Sequence, residues 1–172
     1  MKALLQSFVV IVSLVLITLV ALLMIGPDRA WSGFGNPDLG PVDFQTLERR
    51  TSPNDALACP PDFCRAKSDL SAPTFAMNAN DLRKTMDKVL ELEPRLTRVH
   101  SDDETLTDRY VQRTALLQFP DTIVVRYLDR PQGHSTLAIY SRSKIGYSDL
   151  GANRARIERW ISELERKATI AP

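Results

Sequence analysis

The sequence predicts an α+β fold: an antiparallel sheet of about four to five strands with two helices packed on one face, preceded by one transmembrane helix. Three observations carry that expectation. Residues 3–25 contain no charge, four strand-like stretches fall between residues 95 and 143, the last two rich in β-branched and aromatic residues, and apolar residues recur at helical spacing on either side of them.

Leu, Val, Ile, Ala and Met supply most of residues 3–25, and Gln6, Ser7, Ser13 and Thr18 are the polar interruptions. As a helix rising 1.5 Å per residue this segment is about 34 Å long, enough for a hydrocarbon core of about 30 Å. Gly26-Pro27 stops it, and Trp31 falls near headgroup depth. The rival is a cleaved secretory signal. That rival has a shorter apolar stretch, roughly 7–15 residues, and a small-x-small cleavage site, for which Leu23-Met24-Ile25-Gly26 is a poor match. No Cys near the segment offers a lipoprotein anchor. The reading adopted is an uncleaved anchor at residues 1–25. Lys2 stands before the segment while Asp28 and Arg29 cancel after it, which places the N-terminus in the cytoplasm. The chain is then a single-pass protein of the inner (cytoplasmic) membrane, its C-terminal domain in the periplasm or outside.

Residues 26–50 read as a linker and extended lead-in, rich in Gly and Pro, in which the apolar residues of 42–47 dock onto a domain surface. The globular domain is assigned to residues 51–168 and a short tail to 169–172. Within the domain, residues 72–77 resemble a short strand. Asn78 or Asn80 caps a helix whose Leu82, Met86, Val89 and Leu90 fall on one stripe, and Pro94 closes it. Strands follow at 95–101, 107–117, 122–129 and 135–143. An acidic turn (Asp102, Asp103, Glu104) joins the first two and a Pro- and Gly-containing loop joins the last two, with Phe119-Pro120-Asp121 read as a turn between the pairs. The last helix carries Ile157, Trp160, Ile161 and Leu164 on one face, with Glu163 and Lys167 paired outside.

The chain holds 22 basic and 21 acidic residues, and Lys2 is the only charge in residues 1–25. The remainder is therefore neutral, which argues against a general nucleic-acid binder. Cys59 and Cys64 are the only cysteines. Outside the cytoplasm such a pair forms a disulfide. A free pair, a redox couple and a zinc site recruiting His100 and His134 are the alternatives; thiol oxidoreductases space their cysteines by two residues, not four. No metal site and no cofactor is expected.

The densest chemistry lies in residues 141–156, where a strand, a Gly-containing loop and a helix meet. Arg142, Ser143, Lys144, Ser148, Asp149, Asn153 and Arg154 there offer cations, hydroxyls and a helix N-terminus, the ingredients of a site for a phosphate, carboxylate or lipid headgroup. The same residues also suit a structural corner, with Asp149 capping the helix and pairing with Arg142 or Arg154. No nucleophile–base motif stands out, so no catalytic residue is assigned.

Residues 53 to 164 resemble the domain-of-unknown-function family 1499. The resemblance rests on Pro53-Asn54-Asp55 with Leu57 and Cys59, on Ala72-Pro73, on Phe119-Pro120-Asp121, and above all on Ser141-Arg142-Ser143 followed by Gly146-Tyr147-Ser148-Asp149-Leu150-Gly151, Asn153-Arg154 and Arg156-Ile157. The resemblance implies a compact bacterial or plastid domain, often exported or membrane-attached, and brings no agreed activity and no catalytic residues. The expectation is a non-enzymatic, envelope-facing binding module whose partners are the membrane, through residues 3–25, and an anionic ligand or a membrane protein. An envelope hydrolase or transferase, and a structural accessory of a membrane complex, are the alternatives.

Overall fold

The computed structural model describes residues 2–25, 31 and 33–170. They fall into two compact units that divide between Asn36 and Pro37. In the first, helix α1 (Lys2–Ile25) is apolar and unburied throughout Leu4–Ala21, so by length and composition it could cross a membrane. The ring of Trp31 lies 5.5 Å from that of Phe34. The helix stop expected at Gly26-Pro27, the flanking Asp28 and Arg29, and the end of the tail at 171–172 lie outside the described residues.

The second unit contains β1 (Asp55–Ala58), α2 (Ala79–Leu90), β2 (Leu96–Asp102), β3 (Thr107–Arg113), β4 (Pro120–Arg130), β5 (His134–Ser143) and α3 (Ala152–Ile170). The strands form one antiparallel sheet in the order β1-β5-β4-β3-β2. Side chains alternate across a strand, and the sheet uses both faces. Ala56, Ala58, Ile123, Val125, Tyr127, Leu137 and Ile139 pack with Leu82, Met86, Val89, Ile157, Trp160 and Leu164 from the two helices. On the opposite face Leu57, Val124, Ala138 and Tyr140 are covered by Phe44 and Leu47 of the lead-in and by Cys59.

Each helix forms for the reason its spacing gives. In α2 all four stripe residues are buried, and the Asn78 Oδ1 accepts from the Asp81 N–H at 2.9 Å, satisfying an otherwise orphan donor. Arg83 on the same helix reaches Asp108 on β3 at 2.8 Å and Asp103 in the β2–β3 turn at 2.7 Å, tying helix to sheet. In α3 Ile157, Trp160 and Leu164 have no exposed surface. Its outer Glu163 meets Arg166 rather than Lys167.

Three strand assignments need correction. The strand expected at 107–117 ends at Arg113, and residues 114–119 form the turn to β4. Residues 72–77 do not form a strand. The segment touches the sheet as an isolated bridge between Phe75 and Ser135, while the Pro73 carbonyl accepts from the Thr136 hydroxyl. The first strand is instead β1, short and half alanine, whose composition gives little strand signal. Pro120 and Asp121 also belong to β4 rather than to a turn, with Asp121 opposite Ser143. Pro is tolerated there because it is the first residue of its strand.

Cys59 and Cys64 form a disulfide with Cα atoms 6.2 Å apart. Phe63, inside that loop, packs 6.2 Å from Phe44.

Candidate functional site

The predicted corner forms where β5 runs into α3, and it divides into an inward and an outward set. Asp149 caps α3: its Oδ2 accepts from the Asn153 N–H at 2.8 Å and its Oδ1 from the Gly151 N–H at 3.0 Å. The fully buried Asn153 amide reaches Ser143 Oγ (2.9 Å), Asp149 Oδ2 (2.6 Å) and the Asn54 carbonyl (3.1 Å), and its Oδ1 accepts from Ser141 Oγ (2.6 Å). Ser143, Asp149 and Asn153 are thus brought together and bind one another. Arg142 and Arg154 are not. Arg154 is exposed on α3 and pairs with Glu158 at 2.9 Å. Lys144 joins the edge of the corner through its N–H, which donates to the Pro120 carbonyl at 3.0 Å. Ser148 is exposed, and its Oγ accepts from the Leu150 N–H at 3.2 Å. Asp149 pairs with neither arginine, contrary to expectation; the backbone and amide donors of α3 take its oxygens instead.

The cation that fills the corner is Arg156. Its Nη2 meets Asp121 Oδ2 at 2.6 Å, its Nη1 donates to Ser141 Oγ and Asn153 Oδ1, and its Nε donates to Gln112 Oε1. Both members of the ion pair are nearly sealed from water, at 7% and 2% side-chain exposure. Arg156 is not among the site residues expected from sequence, although it closes the 141–156 stretch and falls on the buried stripe with Asn153, Ile157 and Trp160. A charge on an apolar stripe needs a buried partner, and that requirement was the available signal.

Arg142 points to the other face of the sheet, beside Tyr140 and the lead-in. Strand alternation alone predicts this, because Ser141 and Ser143 face the helices. Its Nη2 donates to the carbonyls of Leu39 (3.1 Å) and Gly40 (2.7 Å), its guanidinium lies 5.7 Å over the Tyr140 ring, and its Nε is buried with no partner. Burial pushes the Arg142 pKa down, and Arg50 and Arg109 push the same way against Tyr140 and Asp38. Asp38 is engaged by Arg109 at 2.8 Å. Arg50 donates to the Ser143 carbonyl at 2.7 Å. Among the described residues Arg142 and Arg50 form no ion pair with a carboxylate. Arg50 lies in the irregular lead-in, which has no periodicity to place it, and Arg109 lies on β3, where strand alternation gives its face but not its partner Asp38.

Next to this cluster Asp55 fastens the lead-in to β1. It pairs with Arg49 at 2.7 Å and accepts from the Tyr140 hydroxyl at 2.5 Å. Burial raises its pKa, but the hydrogen bonds from Arg49 and Tyr140 outweigh burial and leave it below the ordinary 3.8. A carboxyl whose folded value is depressed adds stability that is complete above the unfolded value and lost as pH falls through the folded one. Stability should therefore drop below about pH 4, and the Asp55→Asn variant should show a shallower acid limb in chemical denaturation at stepped pH. An unchanged limb would mean that Asp55 is not held ionised by its partners.

Two surface hollows lie away from the corner. One, of about 490 Å³, is lined by the Cys59–Cys64 loop with Arg65, Lys67, Ser68 and Asp69; the other, of about 280 Å³, lies between Leu90, Leu96, Arg98 and Tyr110. His134 stands at the far end of β5 from Ser143.

No curated protein matches the chain. The family described as "Protein of unknown function (DUF1499)" matches residues 54–164, which takes in every strand of the sheet, α2, and α3 as far as Leu164, and the chain belongs to that family.

Proposed function

We propose that this protein is a single-pass, inner-membrane-anchored binding module whose second unit faces the periplasm and captures an anionic group at Arg142, with Arg50 beside it. The carrying observation is electrostatic. A half-buried guanidinium beside two like charges, with a buried Nε left without a partner, is costly to hold in the free protein. A phosphate or carboxylate would relieve that cost, because charge-assisted hydrogen bonds to guanidinium are among the stronger ones and can be bidentate. The corner expected from sequence supports this reading less well, since Ser143, Asp149 and Asn153 already satisfy one another. Export and anchoring are supported by α1 and by the Cys59–Cys64 bridge. The hydrolase or transferase alternative needs a base beside Ser143 or Ser148. Ser143 accepts from Asn153, Asp149 is taken by the helix start, and both histidines lie elsewhere, so binding is the preferred reading.

The test is calorimetric titration of inorganic phosphate into the full chain in lipid nanodiscs. Arg142→Gln should weaken binding about 10–100-fold, the loss of a charge-assisted contact. Arg50→Gln should weaken it less, and Arg154→Gln should leave it unchanged. Loss of binding on Arg154→Gln but not Arg142→Gln would return the site to the corner. No heat of binding from phosphate, sulfate or acetate in the unmutated chain would remove the proposal.

A further inference from the structure

The strand registers place three connections at one end of the sheet. The β3–β4 turn leaves from the Arg113–Pro120 rung, the β5–α3 loop from the Asp121–Ser143 rung, and the α2–β2 connection arrives where the Arg95 carbonyl accepts from the Arg113 N–H. Of the six large hydrophobic side chains exposed among the described residues of the second unit, five stand on these connections: Leu92 (79%), Leu116 (70%), Leu117 (37%), Tyr147 (76%) and Leu150 (96%). The sixth, Val99, lies on edge strand β2. Scattered single hydrophobics need no explanation, but convergence of five on one end does.

Leu150 is the most telling. Its φ of 53° is in the left-handed region that Gly or Asn occupies at lower cost, and its side chain packs on nothing that would compensate. The loop is nonetheless held in shape, with the Leu150 N–H on Ser148 Oγ, the Gly151 N–H on Asp149 and the Gly146 carbonyl accepting from the Asn54 amide at 2.6 Å. A firmly built loop that presents a leucine and a tyrosine to solvent suits a surface that is itself part apolar and part wet. Tyr favours such a boundary because its ring is apolar and its hydroxyl polar.

The occupant follows from the covalent geometry. Eleven residues separate Ile25, the end of α1, from Pro37, a reach of about 40 Å at full extension. The chain enters the second unit near the same end of the sheet, because the Pro37 carbonyl accepts from Thr122 Oγ1 and the Leu39 N–H donates to it, one residue in from the last β4–β5 rung. We infer that this end of the domain docks on the bilayer that holds α1, inserting Leu116, Tyr147 and Leu150 at the headgroup level. The inference rests on the reading of α1 as a membrane anchor and is independent of the anion site at Arg142. The three connections carry few charges and of both signs, Glu91, Glu93 and Arg95 on one and Lys144 and Asp149 on another, so the contact is apolar rather than electrostatic. It should hold on phosphatidylcholine vesicles without added anionic lipid.

The test uses the full chain reconstituted in phosphatidylcholine vesicles, with a nitroxide at Leu150→Cys, Leu116→Cys or, as a control at the opposite end, Glu104→Cys. Power saturation with oxygen and a water-soluble nickel complex reads depth. The labels at 150 and 116 should lie about 5–10 Å into the headgroup–acyl boundary, and the label at 104 should be in water. Tyr147→Ser with Leu116→Ser should bring the label at 150 out of the boundary. Flotation of the same vesicles reads α1 separately. A chain that floats while all three labels stay in water overturns the docking inference and leaves the anchor standing, and a chain that does not float overturns both. Insertion seen only when phosphatidylglycerol is added would overturn the apolar contact.

Discussion

Asp121→Asn is expected to destabilise the domain by about 3–5 kcal/mol, the cost of leaving one member of a buried ion pair unmatched. Asp121 is 2% exposed and its partner Arg156 is 6% exposed, so water reaches neither. In the native protein the guanidinium donates four hydrogen bonds, to Asp121, Gln112, Ser141 and Asn153. Gln112 in turn donates to Glu93 at 3.0 Å, and Glu93 pairs with Arg159 at 2.8 Å, so the network runs from β4 through α3 to the surface. Neutralising Asp121 leaves a buried cation held by neutral acceptors alone, while Arg156→Met leaves a buried carboxylate without its counter-ion. The two single variants should each be severe. The double variant Asp121→Leu with Arg156→Met should be milder than their sum, because a satisfied apolar pair can replace a buried ion pair at little cost. Chemical denaturation in detergent, followed by near-ultraviolet circular dichroism, checks this. Single variants within 1 kcal/mol of the parent would mean that solvent enters the corner.

The same corner shows how far the sequence could be read. Both helices were legible because their apolar residues recur every three to four positions, and the packing they announce is the packing observed, from Leu82 and Met86 to Trp160 and Leu164. Strands β4 and β5 were legible for their β-branched and aromatic content. Strand β1 was not, since four residues with two alanines carry no pattern and its place beside β5 depends on contacts more than eighty residues apart in the chain. The segment 72–77 misled because its apolar content serves a single bridge to Ser135 and not a ladder. At the corner, residue types were legible and partners were not: side chains that suggest an anion cradle also suit a closed network, and only the third dimension tells which Arg turns inward. Arg156 turns inward, Arg154 turns outward, and Arg142 leaves by the other face of the sheet.

Trp160→Ala should cost about 3–5 kcal/mol, the range for truncating a large buried aromatic. Trp160 has no exposed surface and is the largest fully buried side chain among the described residues, set where α3 meets α2, β1 and β5. Its neighbours on the stripe, Ile157 and Leu164, lie one turn away on each side, so the helix cannot slide to fill the gap without unseating them. Trp160→Phe keeps most of the ring and should cost markedly less. The sheet lies between this core and Arg142, whose contacts are to Tyr140 and to the lead-in carbonyls of Leu39 and Gly40. Sites separated in this way are expected to act additively. Trp160→Phe should therefore lower the denaturation midpoint while leaving phosphate binding unchanged, and Arg142→Gln should do the reverse. If Trp160→Phe weakens binding at a temperature where the variant remains folded, the two faces of the sheet are coupled and Arg142 cannot be treated as an independent site.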